Sequence, residues 1–197
     1  MSDAETLNVY AAQAGEYARL TDDVNAGDPL LHAFIAAMPK GAHVLDLGCG
    51  PGASAAQMAK AGLTVDAYDP VPEMVELANQ HDGVSAQKAT FGDVSGTAVY
   101  DGVWANFSLL HAPRADMPGH LARIANALKK NGVFHIAVKT GTGSHRDAIG
   151  RLYTYYSGEE LTGLLTNARL TVTDRRVGSG KGLAGDVSAW IALTARA

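Results

Sequence analysis

The sequence predicts an α/β fold: a doubly wound, mostly parallel sheet finished by an antiparallel hairpin. Three observations carry this reading. Between residues 42 and 138 the chain repeats apolar strand, turn and helix, the signature of parallel strands covered on both faces. The run Val44-Leu45-Asp46-Leu47-Gly48-Cys49-Gly50-Pro51-Gly52 joins an apolar strand to a helix through a glycine turn, whose backbone can come close to a ligand. Near the C-terminus two strands follow one another with no helix between them, and such neighbours pair antiparallel.

In chain order, Leu7, Tyr10, Ala11, Ala14, Tyr17 and Ala18 recur at helical spacing and predict one helix over 4–20. A polar break over Thr21 to Gly27 follows. Pro29 suits the first turn of a second helix, Leu30 to Met38. Strands are expected at Ala42–Leu47, Leu63–Tyr68, Val84–Ala89, Tyr100–Phe107 and Gly132–Val138. Helices are expected at Ser54–Ala61, Pro72–Gln80 and Leu121–Leu128, the last ending in Lys129-Lys130-Asn131-Gly132. The tail reads as a helix over Gly158–Ala168, strands over Leu170–Val177 and Val187–Thr194, and a loose loop over Gly178–Asp186.

With 197 residues the chain has room for one well-buried core, read as a single domain over 1–197: a helical cap over 1–39 and a sheet core over 40–197. A formal charge of -4 gives no electrostatic case for a nucleic-acid partner. The apolar runs are short and interrupted, which speaks against a membrane span. The lone cysteine, Cys49, excludes an internal disulfide, and the polar, acidic start Met1–Glu5 is no secretion signal; a cytoplasmic enzyme, monomer or homodimer, fits.

The first strand delivers its carboxyl end to the crevice where such sheets bind ligands. Gly48 and Gly50 admit close backbone approach, Gly52 lets the next helix start beside the strand, and that helix's free N–H groups favour a negative group. Asp69 ends the second strand at the distance from the turn where an acid reaches ribose hydroxyls. Asp93, after the third strand, can accept from an exocyclic amine such as that of adenine, with Val71 and Val94 as apolar contacts to a flat base. Gly48-x-Gly50-x-x-Ala53 formally satisfies a dinucleotide pattern, so an NAD-type oxidoreductase is a rival reading. Asp46 opposes it: a carboxylate repels a pyrophosphate and attracts an ammonium or sulfonium, as in S-adenosyl-L-methionine. The alternative for Asp46 is a structural acid capping the turn.

The chain resembles the class I S-adenosylmethionine-dependent methyltransferases over roughly Leu30 to Thr194, most specifically in Asp46-Leu47-Gly48-Cys49-Gly50-Pro51-Gly52. Asp69-Pro70, Gly92-Asp93 and Asn106-Phe107-Ser108-Leu109-Leu110-His111 fall where that family places ribose, adenine and methyl-side residues. The resemblance implies a seven-stranded Rossmann-like sheet with its last hairpin reversed and N-terminal helices forming part of a lid. It implies Asp46 and Gly48 at the methionine end, Asp69 at the ribose and Asp93 at the adenine edge. The implied reaction moves a methyl group to a small molecule and leaves S-adenosyl-L-homocysteine; a nucleic-acid or protein methyltransferase is the further alternative.

The acceptor is expected over the ends of the fourth and fifth strands, near Asn106, Phe107, Leu110 and His111 on one side and Lys139, Thr140 and Gly141 on the other. His111 is the candidate base, or else a loop histidine packing on Pro113. Asn106 orients the acceptor, touches the cofactor, or satisfies local backbone. The segment Thr140–Tyr156 gathers His145, Arg146, Arg151, Tyr153, Tyr155 and Tyr156, a loop fit to close on a polar or anionic small molecule. Tyr10 and Tyr17, on one face of the first helix, cover the cleft or dock the helix. The scattered histidines show no metal-ligand spacing, so no metal is expected.

Overall fold

The computed structural model describes residues 3–197, residues 22–26 through their backbone alone; Met1 and Ser2 lie outside the described residues. Five strands, β1 (His43–Leu47), β2 (Thr64–Asp69), β3 (Val84–Lys88), β4 (Tyr100–Asn106) and β5 (Leu128–Lys139), run parallel. A separate two-stranded ribbon, β6 (Ser144–Arg146) with β7 (Leu152–Thr154), follows. The hairpin of β8 (Thr171–Lys181) and β9 (Val187–Arg196) then completes a seven-stranded sheet in the order β3-β2-β1-β4-β5-β9-β8. β9 lies antiparallel to both neighbours, as two consecutive strands without a crossover must.

The helices are α1 (Ala4–Ala12), α2 (Ala14–Ala26), α3 (Pro29–Ala36), α4 (Ala53–Lys60), α5 (Pro72–Ala78), α6 (Met117–Ala127) and α7 (Gly158–Asn167). Their starts are written locally: Asp28 caps α3 by accepting from the Leu30 N–H, ahead of Pro29, and Ser157 caps α7 by accepting from Glu160. The sheet is apolar on both faces because both are covered. On one side Leu45, Val103, Phe134 and Ile136 join Leu121, Ile124, Leu161 and Leu165 of α6 and α7. On the other, Val44, Trp104 and Val133 pack with Leu31 and Phe34 of α3 and Ala55 and Met58 of α4.

Several expected elements come out differently. The helix over 4–20 is two helices, broken at Gln13 (φ −114°, ψ 15°), because α1 is held by the start of β7 while α2 packs on α4. The polar stretch from Thr21 belongs to α2 rather than to a break. Lys129–Gly132 does not cap a helix: β5 already begins at Leu128, and Asn131, at φ 64°, absorbs an irregularity between the Tyr100–Leu128 and Gly102–Val133 pairs. Gly178–Lys181 extends β8, paired to β9, so only 182–186 is turn. Between β3 and β4 the repeat lacks a helix and has only a 3₁₀ turn at Phe91–Asp93. No described helix is long and apolar enough to cross a membrane.

Candidate active site

β1 ends in a turn that needs its glycines. Gly48, Gly50 and Gly52 have φ of +78°, +53° and +89°, a region that costs other residues strain. Contact adds to conformation: a Cβ on Gly48 would stand 2.3 Å from Cβ of Ser108, and one on Gly52 would stand 2.8 Å from Cα of Ala78. The turn's donors are spent inside the protein. Gly48 and Cys49 both donate to the Tyr68 carbonyl (2.7 and 3.0 Å), Gly52 donates to Cys49 O (3.0 Å), and Gly50 donates to Asp69 Oδ2 (2.9 Å). The donors of the turn itself are therefore satisfied within the protein, mostly by β2.

Asp69 ends β2 on the wall of a cavity over the carboxyl ends of the strands. It is buried, and its oxygens accept from Gly50 N–H and Val71 N–H, both at 2.9 Å. Burial raises its pKa to about 6, against the lowering effect of those two bonds. Asp46 is also buried but is not on the cavity wall. Among the described residues its Oδ2 has no partner. Burial first, and the Asp69 charge second, raise its pKa to about 7. Asp46 thus stands behind the wall with a buried oxygen that no described group of the protein satisfies.

Of the residues singled out in the sequence, Tyr10, Tyr17, Gly48, Gly50, Asp69, Pro70, Val71, Asn106, Phe107 and His111 share the cavity wall. Cys49, Gly52, Val94 and Leu110 do not; Val94 and Leu110 face the core under α6. Asp93 is turned away as well: its Oδ2 takes the N–H and hydroxyl of Thr90, both at 2.7 Å, in a cap of the short turn, and the residue is exposed. Sequence reading missed Thr6, Leu7, Met74, Phe91 and Ser108 on the wall. Phe91 and Ser108 adjoin motifs already noticed; Thr6 and Leu7 become visible only once α1 is seen folded over the cleft.

The methyl side is organised from behind. Asn106 Oδ1 lies 3.3 Å from His135 Nε2, a buried imidazole stacked on Trp104 (3.8 Å, 16°) and held neutral by burial, its pKa lowered to about 3. Neutral His135 donates to that oxygen, which fixes the Asn106 amide. Phe107 follows with φ 53° and partial exposure, edge-on to Trp190.

His111 is buried at the other end of the wall. Its Nδ1 donates to the Leu152 carbonyl (2.8 Å), so Nε2 carries the lone pair and accepts from the Tyr10 hydroxyl (3.0 Å). The Tyr10 oxygen accepts in turn from Arg151 Nη1 (3.0 Å), and Arg151 is held by Asp147 through Nε and Nη2 (2.9 and 2.7 Å). Burial, aided by the nearby Arg151 and Lys139 charges, lowers the His111 pKa to about 4. Of the polar segment, His145, Arg146 and Tyr155 are not on the wall. His145 stacks on Tyr155 (4.1 Å, 12°), and Arg146 grips Asp3 at the head of α1 (2.8 and 2.9 Å) with Glu5 beside it. Arg146 thereby secures the helix whose Tyr10 lines the cavity.

The methyltransferase-domain family matches residues 44–132, from β1 to the start of β5. Over 90 residues the chain is 33% identical to a ubiquinone biosynthesis O-methyltransferase of Xanthomonas axonopodis pv. citri, a match spanning 40% of this chain and 38% of that protein. The 1,6-didemethyltoxoflavin-N1-methyltransferase of Burkholderia thailandensis, solved with 1,6-didemethyltoxoflavin and S-adenosylhomocysteine, superposes with a TM-score of 0.72 at 27% identity, over 96% of this chain and 87% of that one. A Methanosarcina mazei methyltransferase shares the fold at a TM-score of 0.75 and 16% identity, over 86% and 97% of the two chains. Residues 44–132 match the methyltransferase-domain family, and the chain as a whole has the fold of these S-adenosylmethionine-dependent methyltransferases.

Proposed function

We propose that this chain is a methyltransferase that uses S-adenosyl-L-methionine to methylate a small molecule and releases S-adenosyl-L-homocysteine. The observation that carries the reading is Asp69: a buried carboxylate at the end of β2, fixed by two backbone donors on the wall of the cavity beside the glycine turn. With each oxygen keeping a free lone pair, it can accept from both hydroxyls of one ribose. Pro70, Val71, Met74 and Phe91 give the apolar wall that a purine needs, and Gly48 and Gly50 let the cofactor's amino-acid end approach the backbone. This cradle fits an adenosine cofactor through Asp69 without help from Asp46 or Asp93. When bound, S-adenosylmethionine supplies a methyl group on a positively charged sulfur.

What the chain supplies is position, dryness and a route for a proton. Asn106 and Phe107 bound the methyl side, and Tyr10 of α1 walls the cavity, shielding that side of a bound acceptor from water. If the acceptor must lose a proton, it passes to the Tyr10 oxygen while the Tyr10 hydroxyl proton passes to His111 Nε2. The alternative for His111 is a clamp that holds α1 shut. A small acceptor is supported by the roofed cavity and by the small-molecule substrate named for the Burkholderia thailandensis enzyme.

Calorimetry decides the cofactor. S-adenosylhomocysteine is expected to bind and NAD not to; the reverse order would end the reading in favour of an oxidoreductase. Asp69→Ala is expected to weaken S-adenosylhomocysteine by about tenfold or more, the worth of one or two charge-assisted hydrogen bonds.

A further inference from the structure

Lys139, the last residue of β5, is a cation without a counter-ion. Its ammonium sits 4.0 Å above the ring of Tyr153, and among the described residues no carboxylate lies within ion-pair distance of it. Arg151 stands close by, buried and packed between the rings of Tyr10 and Tyr153. Its guanidinium makes three side-chain donations, two to Asp147 and one to the Tyr10 oxygen, and so retains two N–H groups. The turn of the β8–β9 hairpin passes next to both cations. A methyl group on Gly182 would stand 4.0 Å from Arg151 Nη2 and 4.0 Å from Lys139 Nζ. Both nitrogens thus approach one point on Gly182, which is exposed.

The charges around that point do not cancel. Asp147 is committed to Arg151, and Asp186, exposed in the hairpin turn, touches Lys139 only through its field. Burial and the Arg151 charge lower the pKa of the ammonium, so an anion placed between the two cations relieves a repulsion already present. Arg151 donates to Tyr10, and Tyr153 under Lys139 packs on His111; Tyr10 and His111 both line the cavity, so the two cations stand behind the end of the wall where the acceptor belongs.

Resting on the methyltransferase reading above, we infer that Lys139 and Arg151 form an anion-binding subsite, and that the acceptor carries a carboxylate or phosphate which this pair receives. Lys139 is the specificity-determining member, and Arg151 is the fixed donor that Asp147 and Tyr10 hold in place. The neighbouring rings of Tyr153 and Tyr10 suit an acceptor whose remainder is flat and apolar.

The test is calorimetry on protein saturated with S-adenosylhomocysteine, titrated with benzoate, phenyl phosphate and benzamide. At least one anion should bind about tenfold or more tightly than benzamide, as a charge-assisted hydrogen bond warrants. Lys139→Met should erase that preference, Lys139→Arg should keep it, and S-adenosylhomocysteine affinity should be the same in all three proteins. Equal binding of benzamide and both anions, no binding of any probe, or a preference that survives Lys139→Met overturns the subsite. If S-adenosylhomocysteine itself fails to bind, the methyltransferase reading falls instead, and the same three titrations on the free protein still decide the subsite.

Discussion

Asp69 and Asp46 show how one residue type takes two roles a few ångströms of chain geometry apart. Both are buried and both have raised pKa values, but Asp69 opens onto the cavity and Asp46 lies behind its wall with one oxygen unpaired. The consequence for pH follows from the ionised form of Asp69 being the better hydrogen-bond acceptor. Cofactor affinity should hold above about pH 6 and fall as pH drops through that value, which titration of S-adenosylhomocysteine near pH 5 and near pH 8 would show. His111, by contrast, is neutral everywhere above about pH 4, so turnover at saturating cofactor should show no loss traceable to its protonation between about pH 6 and 8. Gly48→Ala combines a positive φ with a 2.3 Å approach to Ser108, so it should both lower the unfolding midpoint and abolish S-adenosylhomocysteine binding.

At the scale of elements, α1 is the cover of the cavity. Besides the small apolar cluster of Leu7, Tyr10 and Ala11 with Val71 and Met74, it meets the rest of the protein through polar contacts: Thr6 Oγ1 accepts from Leu152 N–H (2.8 Å), Asp3 pairs with Arg146, and Tyr10 joins Arg151 and His111. Polar contacts of this kind open at less cost than an apolar core, so α1 exchanges more readily than the sheet. Thr6→Val leaves the Leu152 N–H without its partner, a loss of about 1–3 kcal/mol. Hydrogen exchange should then speed up over residues 4–12 while β4 and β5 keep their protection; equal loss across the sheet would mean that α1 is part of the core unit. The hairpin gives a second case: Trp190 lies over Gly178, where a Cβ would meet the indole at 2.4 Å.

For the whole molecule, four buried titrating groups pull stability in opposite directions. Asp46 and Asp69 hold protons in the folded state that the unfolded chain has already released above about pH 4, so their contribution falls as pH rises from about 4 to about 7. His111 and His135 refuse protons that the unfolded chain binds below about pH 6.5, so theirs rises with pH from about 4 to 6.5. The two slopes offset across mildly acidic pH. Asp46→Asn removes one falling slope, so its stability relative to the parent should grow from about pH 5 to about pH 7.5 in denaturant titrations. The two-sided core carries the bulk of stability: Leu193→Ala, in the fully buried row of β9, should cost about 2–5 kcal/mol.

The sequence by itself determined the sheet, its crossovers and the glycine turn, because these rest on local signals: apolar runs buried on both faces, caps such as Asp28 and Ser157, and glycines where φ must be positive. It also placed Asp69, since the end of β2 is set by its register against β1. It did not decide which acids face the ligand. Asp46 and Asp93 sit in motifs as clear as that of Asp69, yet one lies behind the wall with an oxygen unpaired and the other caps a 3₁₀ turn, because the packing of the chain sets which groups a carboxylate meets. Nor did it show that Arg146 secures α1, that His111 meets Tyr10 across 101 positions, or that Lys139 and Arg151 converge at Gly182. Those juxtapositions arise between elements distant in sequence, where spacing along the chain carries no information about separation in space, and only the packing of α1 and the hairpin over the ends of β4 and β5 decided them.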